Sequence, residues 1–268
     1  LSETASDLVG PGLAGAMGQL LGAPGAVLIY AGSYLASATL LVRMKLVEQI
    51  SNAAPWSLRI IGREIAEGYR TVMSIPILQR MSLSVAAGNL FESARNAELI
   101  LFMTRELDFS ASLVGIIYAI GGAGFFIGAL LPGPVANRLG LGRAITTGLL
   151  ILWLGDVLFP LAGGPKLVAA GILGLAMFIS GIGGSIFDVN QFSLRQAVTP
   201  DPVRGRANAT IRVLVRGIAP IGALIGGIIA EAYGLRAALI FAALSSPASL
   251  LILAGSEIPK LKTMPVSN

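Results

Sequence analysis

Residues 167–194 read LVAAGILGLAMFISGIGGSIFDVNQFSL, and Asp188 is the single charged side chain among them. At about 1.5 Å of rise per residue, a helix of this length crosses a hydrocarbon core of roughly 30 Å with residues to spare. Lipid offers the backbone no hydrogen-bond partner, so a crossing segment must be a helix or a strand of a closed barrel. Barrel strands are short and alternate in polarity. This run does neither, and it predicts a transmembrane helix.

Working outward with the same window predicts spans at 6–22, 25–43, 78–103, 111–136, 143–162, 167–194, 208–231 and 236–255. Composition agrees: 54% of the 268 residues are hydrophobic, 12% are charged, and the mean hydropathy is +0.80. The expected fold is therefore an all-α integral membrane protein. The stretch 44–77 is too polar to span and too long for a turn, so it reads as a linker between two bundles. That divides the chain into two helices of a first bundle at 1–43, the linker at 44–77, a six-helix bundle at 78–256 and a tail at 257–268. Within the linker, SLRIIGREIAEGYRTVM puts Leu58, Ile61, Ile65 and Tyr69 at helical spacing, with Arg59, Arg63, Glu67 and Arg70 elsewhere on the wheel. It reads either as an amphipathic helix in the membrane interface or as a solvated linker helix.

Several classes drop out. The chain has no Cys and no His, which removes disulfides, thiol nucleophiles, His-based metal sites and Ser-His relays. No cofactor or metal is expected. Gly155-Asp156 follows Trp153-Leu154, so an intramembrane aspartyl protease motif of the form G-x-G-D fails, and no enzyme is expected. A receptor or scaffold would need a soluble domain, and no loop is long enough to form one. The pI of 9.9 and formal charge of +5 would suit a nucleic-acid partner only on a soluble basic face. Here they reflect loop bias. With the linker placed in the cytosol, thirteen of the nineteen basic residues fall inside, including Arg43, Arg80, Arg138, Arg143, Arg195, Arg204 and Lys260. Arg105, Lys166 and Arg236 fall outside, and Arg95, Arg212 and Arg216 lie within spans. The linker and C-terminus are thus expected to be cytoplasmic.

Transporters are often built from repeats. Aligning Gly22 on Gly234 brings Ser33 onto Ser245, Ala36 onto Ala248 and Ser37 onto Ser249, with Pro11 and Pro220 in similar settings. On that alignment the first two spans correspond to the last two, and four further spans are expected before Leu1. No basic segment with a cleavage site precedes the first apolar run, so no signal peptide is read.

These features resemble the major facilitator superfamily, whose members have two six-helix halves joined by a long cytosolic linker. GPGLAG, with Gly10, Pro11 and Gly15, resembles the Gly-Pro motif in the fifth span of antiporters of that superfamily. GPVANRLGLGR, with Gly133, Arg138, Gly140 and Arg143, resembles the cytosolic loop motif G-x-x-x-D-R-x-G-R-R in its second-half position. Asn137 stands where the family prefers Asp, and Leu141-Gly142 interrupt the basic pair. The stretch Phe192–Leu239 resembles the branch containing macrolide efflux proteins and the enterobactin exporter. The resemblance implies a monomeric, proton-coupled exporter of small organic molecules, drug- or siderophore-like, in the cell (inner) membrane. The alternatives are a transport-inactive fragment of such a protein or an uptake permease of the same superfamily.

Charge at mid-membrane costs roughly 2.5–3.5 kcal/mol even on a lenient scale, so intramembrane ionisable groups are candidates for the pathway. Asn89, Glu92 and Asn96 share one face of the third span, with Arg95 on the neighbouring strip. Glu92 lies about 21 Å along that span, a depth that suits a proton-accepting carboxylate. Glu92–Arg95 reads either as the coupling site or as a packing pair. Asp188 and Arg212 are expected at similar depth as an inner-gate pair, with Arg216 one turn deeper, where it would meet either an anionic substrate or a carboxylate such as Glu92. Asn190 and Gln191 could bond substrate or join helices. Asp156 and Glu98 read as wet or interfacial.

Overall fold

The computed structural model describes residues 28, 31–40 and 58–265. Residues 31–40, inside the second expected span, are helical. The first expected span, Gly10, Pro11 and Gly15, and much of the repeat alignment lie outside the described residues.

The linker segment forms helix α1, Leu58–Ser74. It packs on α7, Arg204–Gly217. Gly68 and Val72 are buried, while Ile65 and Tyr69 remain exposed. Arg206 of α7 reaches Glu67 at 2.8 Å and Glu64 at 3.4 Å. The helix is therefore held to the bundle by Glu64 and Glu67 and by Val72, which joins Leu78, Ala207 and Ile211 in a buried cluster, while Ile65 and Tyr69 face outward.

Helix α2, Pro76–Leu101, follows, with Pro76 at its first turn where no amide donor is needed. It runs on as a π turn over Phe102–Glu106. Then come α3 (Ala111–Ala129), α4 (Pro132–Leu139), α5 (Leu141–Leu158), α6 (Lys166–Val198), α8 (Ala219–Tyr233), α9 (Leu235–Ala242) and α10 (Ser245–Ala254). Among the described residues, five stretches are long and apolar enough to cross a membrane: α3, α5 with its last turn, α6, Asp201–Tyr233 and Leu235–Ala254. Helix α2 is longer than α3 but carries Asn89, Glu92, Arg95, Asn96 and Glu98. Leu224, Ile228 and Leu251 are exposed on the outside of the bundle, the surface lipid would cover.

Three expected spans are broken in ways the hydropathy window missed. The segment 111–136 ends as a helix at Ala129, and Pro132 starts the separate helix α4. The segment 208–231 bends at Ile218, just before Pro220, between α7 and α8. The segment 236–255 bends at Ala243–Leu244, with Pro247 in the first turn of α10. Proline lacks the amide donor and crowds the preceding turn, so apolar content continues where helix geometry does not.

Helices α3 and α5 both pack on α6, and α2 packs on α8, α9 and α10. The first group touches backbone to backbone: a Cβ on Gly181 would meet the Gly121 carbonyl at 2.5 Å, and one on Gly183 would collide with the Leu152 amide. Small residues permit such approach where lipid supplies no drive to associate. In the second group, Ser84 and Ser249 each donate to the other's backbone carbonyl, at 3.2 and 2.9 Å, tying α2 to α10.

The loop motif has a defined geometry. Gly140, at φ +85°, turns α4 into α5, a conformation that only glycine adopts freely. The tail then crosses this turn: the Gly142 amide donates to the Leu261 carbonyl at 2.9 Å, and the Leu141 amide to that of Lys262 at 3.3 Å. Gly133 faces open space.

Candidate functional site

Between the two groups of helices lies a cavity of about 690 Å³, walled by α2, α3, α5, α6 and α10, with Val215 of α7. Asn89, Glu92, Arg95 and Asn96 line it, so the face read from spacing in the third span does turn inward. This explains how α2 carries so many polar side chains: its polar strip faces the cavity.

At the cavity wall Arg95 bridges two carboxylates. Its Nη1 donates to Asp156 Oδ1 at 2.6 Å and its Nη2 to Glu92 Oε1 at 3.2 Å. The Phe159 ring lies 5.3 Å beneath the guanidinium, a favourable cation–π arrangement. The two carboxylates differ. Asp156 is 4% exposed and also accepts from Ser180 at 3.2 Å and Ser245 at 2.9 Å. It therefore joins α2, α5, α6 and α10 at one point. Glu92 is 51% exposed and opens to the cavity. Asp156 was expected to be wet; the structure buries it and makes it the most heavily bonded carboxylate here. Glu98 is likewise buried, with Oε1 beside Gly227 of α8.

The remaining candidates sort by place. Asp188 lines the cavity, but it does not pair with Arg212. Gln191 and Arg195 follow it on its own helix. Arg212 and Arg216 are exposed on α7, outside the cavity lining, and neither forms an ion pair among the described residues. Val215, which lies between them on α7, is the residue of that helix that lines the cavity. Asn89 spends its amide on the Val215 carbonyl at 2.5 Å, and Asn190 on that of Ile186 at 2.8 Å. The first bond joins α2 to α7 and the second stays within α6, where Gln191 also accepts from Arg195 at 3.2 Å. Asn96 is exposed to the cavity. Sequence reading missed Ser180, Ser245 and Tyr118 as wall residues. Gly155, whose absent side chain lets Ser180 close on α5, was the available signal that Asp156 sits in a helix contact. Among the described residues, no group of three His, Cys, Asp or Glu side chains is placed to hold a metal ion.

The chain is similar to the multidrug efflux pump Tap of Mycolicibacterium fortuitum, 25% identical over 263 residues, which cover 97% of this chain and 62% of that protein. It is also similar to the multidrug resistance protein MdtH of Yersinia enterocolitica, 34% identical over 126 residues covering 45% of this chain and 29% of MdtH. The Yersinia pestis MdtH matches at 33% over the same share. The chain thus spans less than two-thirds of the length of these relatives. The family model for the Major Facilitator Superfamily matches residues 81–263, which take in the cavity, the Arg95 bridge and the loop motif. Helices with a sheltered polar strip, a charged cavity between them and a match over more than half of its length identify the chain as a member of the Major Facilitator Superfamily.

Proposed function

We propose that the protein carrying this chain is a proton-coupled exporter of small organic molecules, and that this cavity favours drug-like lipophilic cations over anionic siderophore-like compounds. One observation carries the reading. Among the described residues the one cation lining the cavity, Arg95, is committed to two carboxylates, while Glu92 and Asp188 stay open to it. Tyr118, Phe125, Met177 and Phe187 supply the apolar and aromatic wall. An anion would meet carboxylates and a cation already shared between two of them, whereas a cation with apolar flanks would meet charge and surface that suit it. The name of Tap, a multidrug efflux pump, favours the same direction of transport.

The two carboxylates divide the work. Asp156, held by three donors, remains the anion that anchors Arg95. Glu92, with one longer bond and open access, takes and gives the proton. A proton on Glu92 removes the charge a cationic substrate would bind, so proton and substrate compete for one group, which is what exchange requires. Rocking of two halves about a midplane site would then expose that group to each side in turn. In this scheme 78–256 forms one half, 1–43 belongs to the other, and 44–77 is the cytosolic linker. The test is uptake of ethidium by everted vesicles under an imposed pH gradient, using this chain together with any in-frame sequence preceding Leu1. Acid-interior vesicles should accumulate the dye, and accumulation indifferent to the gradient would contradict proton coupling.

A further inference from the structure

A second pocket, of about 1060 Å³, lies where α4 turns into α5, between that turn, α6 and the tail after Ile258. Arg138 and Arg143 from the turn line it together with Lys260 and Lys262 from the tail, and among the described residues no carboxylate does. All four are exposed, and none has an ion-pair partner among the described residues. Their proximity is imposed by backbone rather than chosen by side chains. The tail is bonded to the amides of Leu141 and Gly142, and a Cβ at Gly142 would collide with the Ile258 carbonyl. Four like charges fixed around one hollow repel one another, and an anion in the hollow would relieve that cost.

The rest of the wall indicates which anion. Leu139, Val189 and Met264 line the same pocket and are exposed, while Ser193 and Asn137 add neutral polar groups. A free phosphate has no use for apolar surface. A phospholipid does, since its phosphate can sit among the cations while the glycerol and first methylenes lie on the apolar residues. Basic pockets between helix ends are suited to anionic headgroups in this way. We propose that the pocket between the α4–α5 turn, α6 and the tail binds the phosphate headgroup of an anionic phospholipid.

The test titrates the delipidated chain in detergent with phosphatidylglycerol and with phosphatidylcholine, reading lipid retained by native mass spectrometry. Phosphatidylglycerol should be retained at a concentration at least about tenfold lower. Replacing Arg138, Arg143, Lys260 and Lys262 together by Gln should remove the preference. Val189→Trp, which fills the pocket and leaves every charge, should also remove it, and it decides the matter if the fourfold variant does not fold. Arg63→Gln, Arg70→Gln and Arg105→Gln together lower the net charge elsewhere and should leave the preference intact. Survival of the preference in Val189→Trp, or its loss in the remote triple variant, overturns the proposal. Displacement of the lipid by inorganic phosphate at equal phosphate concentration overturns it too, since the site would then be one for a soluble anion.

Discussion

Two arginines in this molecule make nearly the same contact in different surroundings. Arg95 bridges Asp156 and Glu92 at 2.6 and 3.2 Å, and Arg206 bridges Glu67 and Glu64 at 2.8 and 3.4 Å. Arg206 is 39% exposed and its partners 43% and 48%, whereas Arg95 is 13% exposed and Asp156 4%. An exposed ion pair contributes about 0–1 kcal/mol, because water and salt compete for both charges. Removing one partner of a buried pair costs about 3–5 kcal/mol, because the other charge is left without compensation. Bond length therefore says little about either arginine's role. The clasp of α1 on α7 can open at small cost, and the bridge across the cavity wall cannot.

The comparison breaks most readily at Arg95. Arg95→Gln strands Asp156 in the bundle and should cost about 3–5 kcal/mol, seen as a large drop in the thermal midpoint in detergent. Adding Asp156→Asn should recover part of the loss, and a double variant worse than either single one would contradict the account. Next comes the neutral support of Asp156. Ser245→Ala removes a donor to a buried carboxylate and should cost about 1.5–3 kcal/mol by the same measurement. Arg206→Gln should cost at most about 1 kcal/mol, and 0.5 M salt should erase the difference from the unsubstituted chain. A cost equal to that of Arg95→Gln would remove the distinction drawn between the two sites.

The smallest effect belongs to a fully exposed pair. Lys166 donates to Asp108 at 2.6 Å, and that hydrogen bond, followed by the lysine's charge, holds the Asp108 carboxyl below its ordinary value. A depressed carboxyl contributes stability above its unfolded value, about 3.9, and loses it as pH falls through the lower folded value. Asp108→Asn should therefore lower the thermal midpoint slightly at pH 7, and the difference should shrink steadily below about pH 4.

Much of this was legible from residue order. The unbroken run at 167–194 became α6 over Lys166–Val198, and the i, i+3, i+7 spacing of Asn89, Glu92 and Asn96 became a cavity wall. Breaks at Pro132, Ile218 and Ala243 were not, because a hydropathy window averages over the single residues that end a helix. Asp156 was misjudged for a different reason. The ruler that placed Glu92 at depth, applied from Leu141, puts Asp156 about 22 Å along α5 and hence beside it. Its position was readable, but its burial depended on Ser180 and Ser245, which come from two other helices. The partnership proposed for Asp188 and Arg212 failed similarly, since equal depth on adjacent spans does not fix which faces meet.

The division of labour at the Arg95 bridge is tested most directly by Glu92→Gln in the protein comprising this chain and any in-frame sequence before Leu1. Gln mimics the protonated side chain at similar volume, and Asp156 keeps its hold on Arg95, so expression and thermal midpoint should stay close to the unsubstituted protein. Ethidium accumulation in everted vesicles should then no longer respond to the imposed pH gradient. Uphill accumulation at the normal rate and with the normal pH dependence would contradict the account, and would pass the coupling role to Asp188, the other carboxylate open to the cavity.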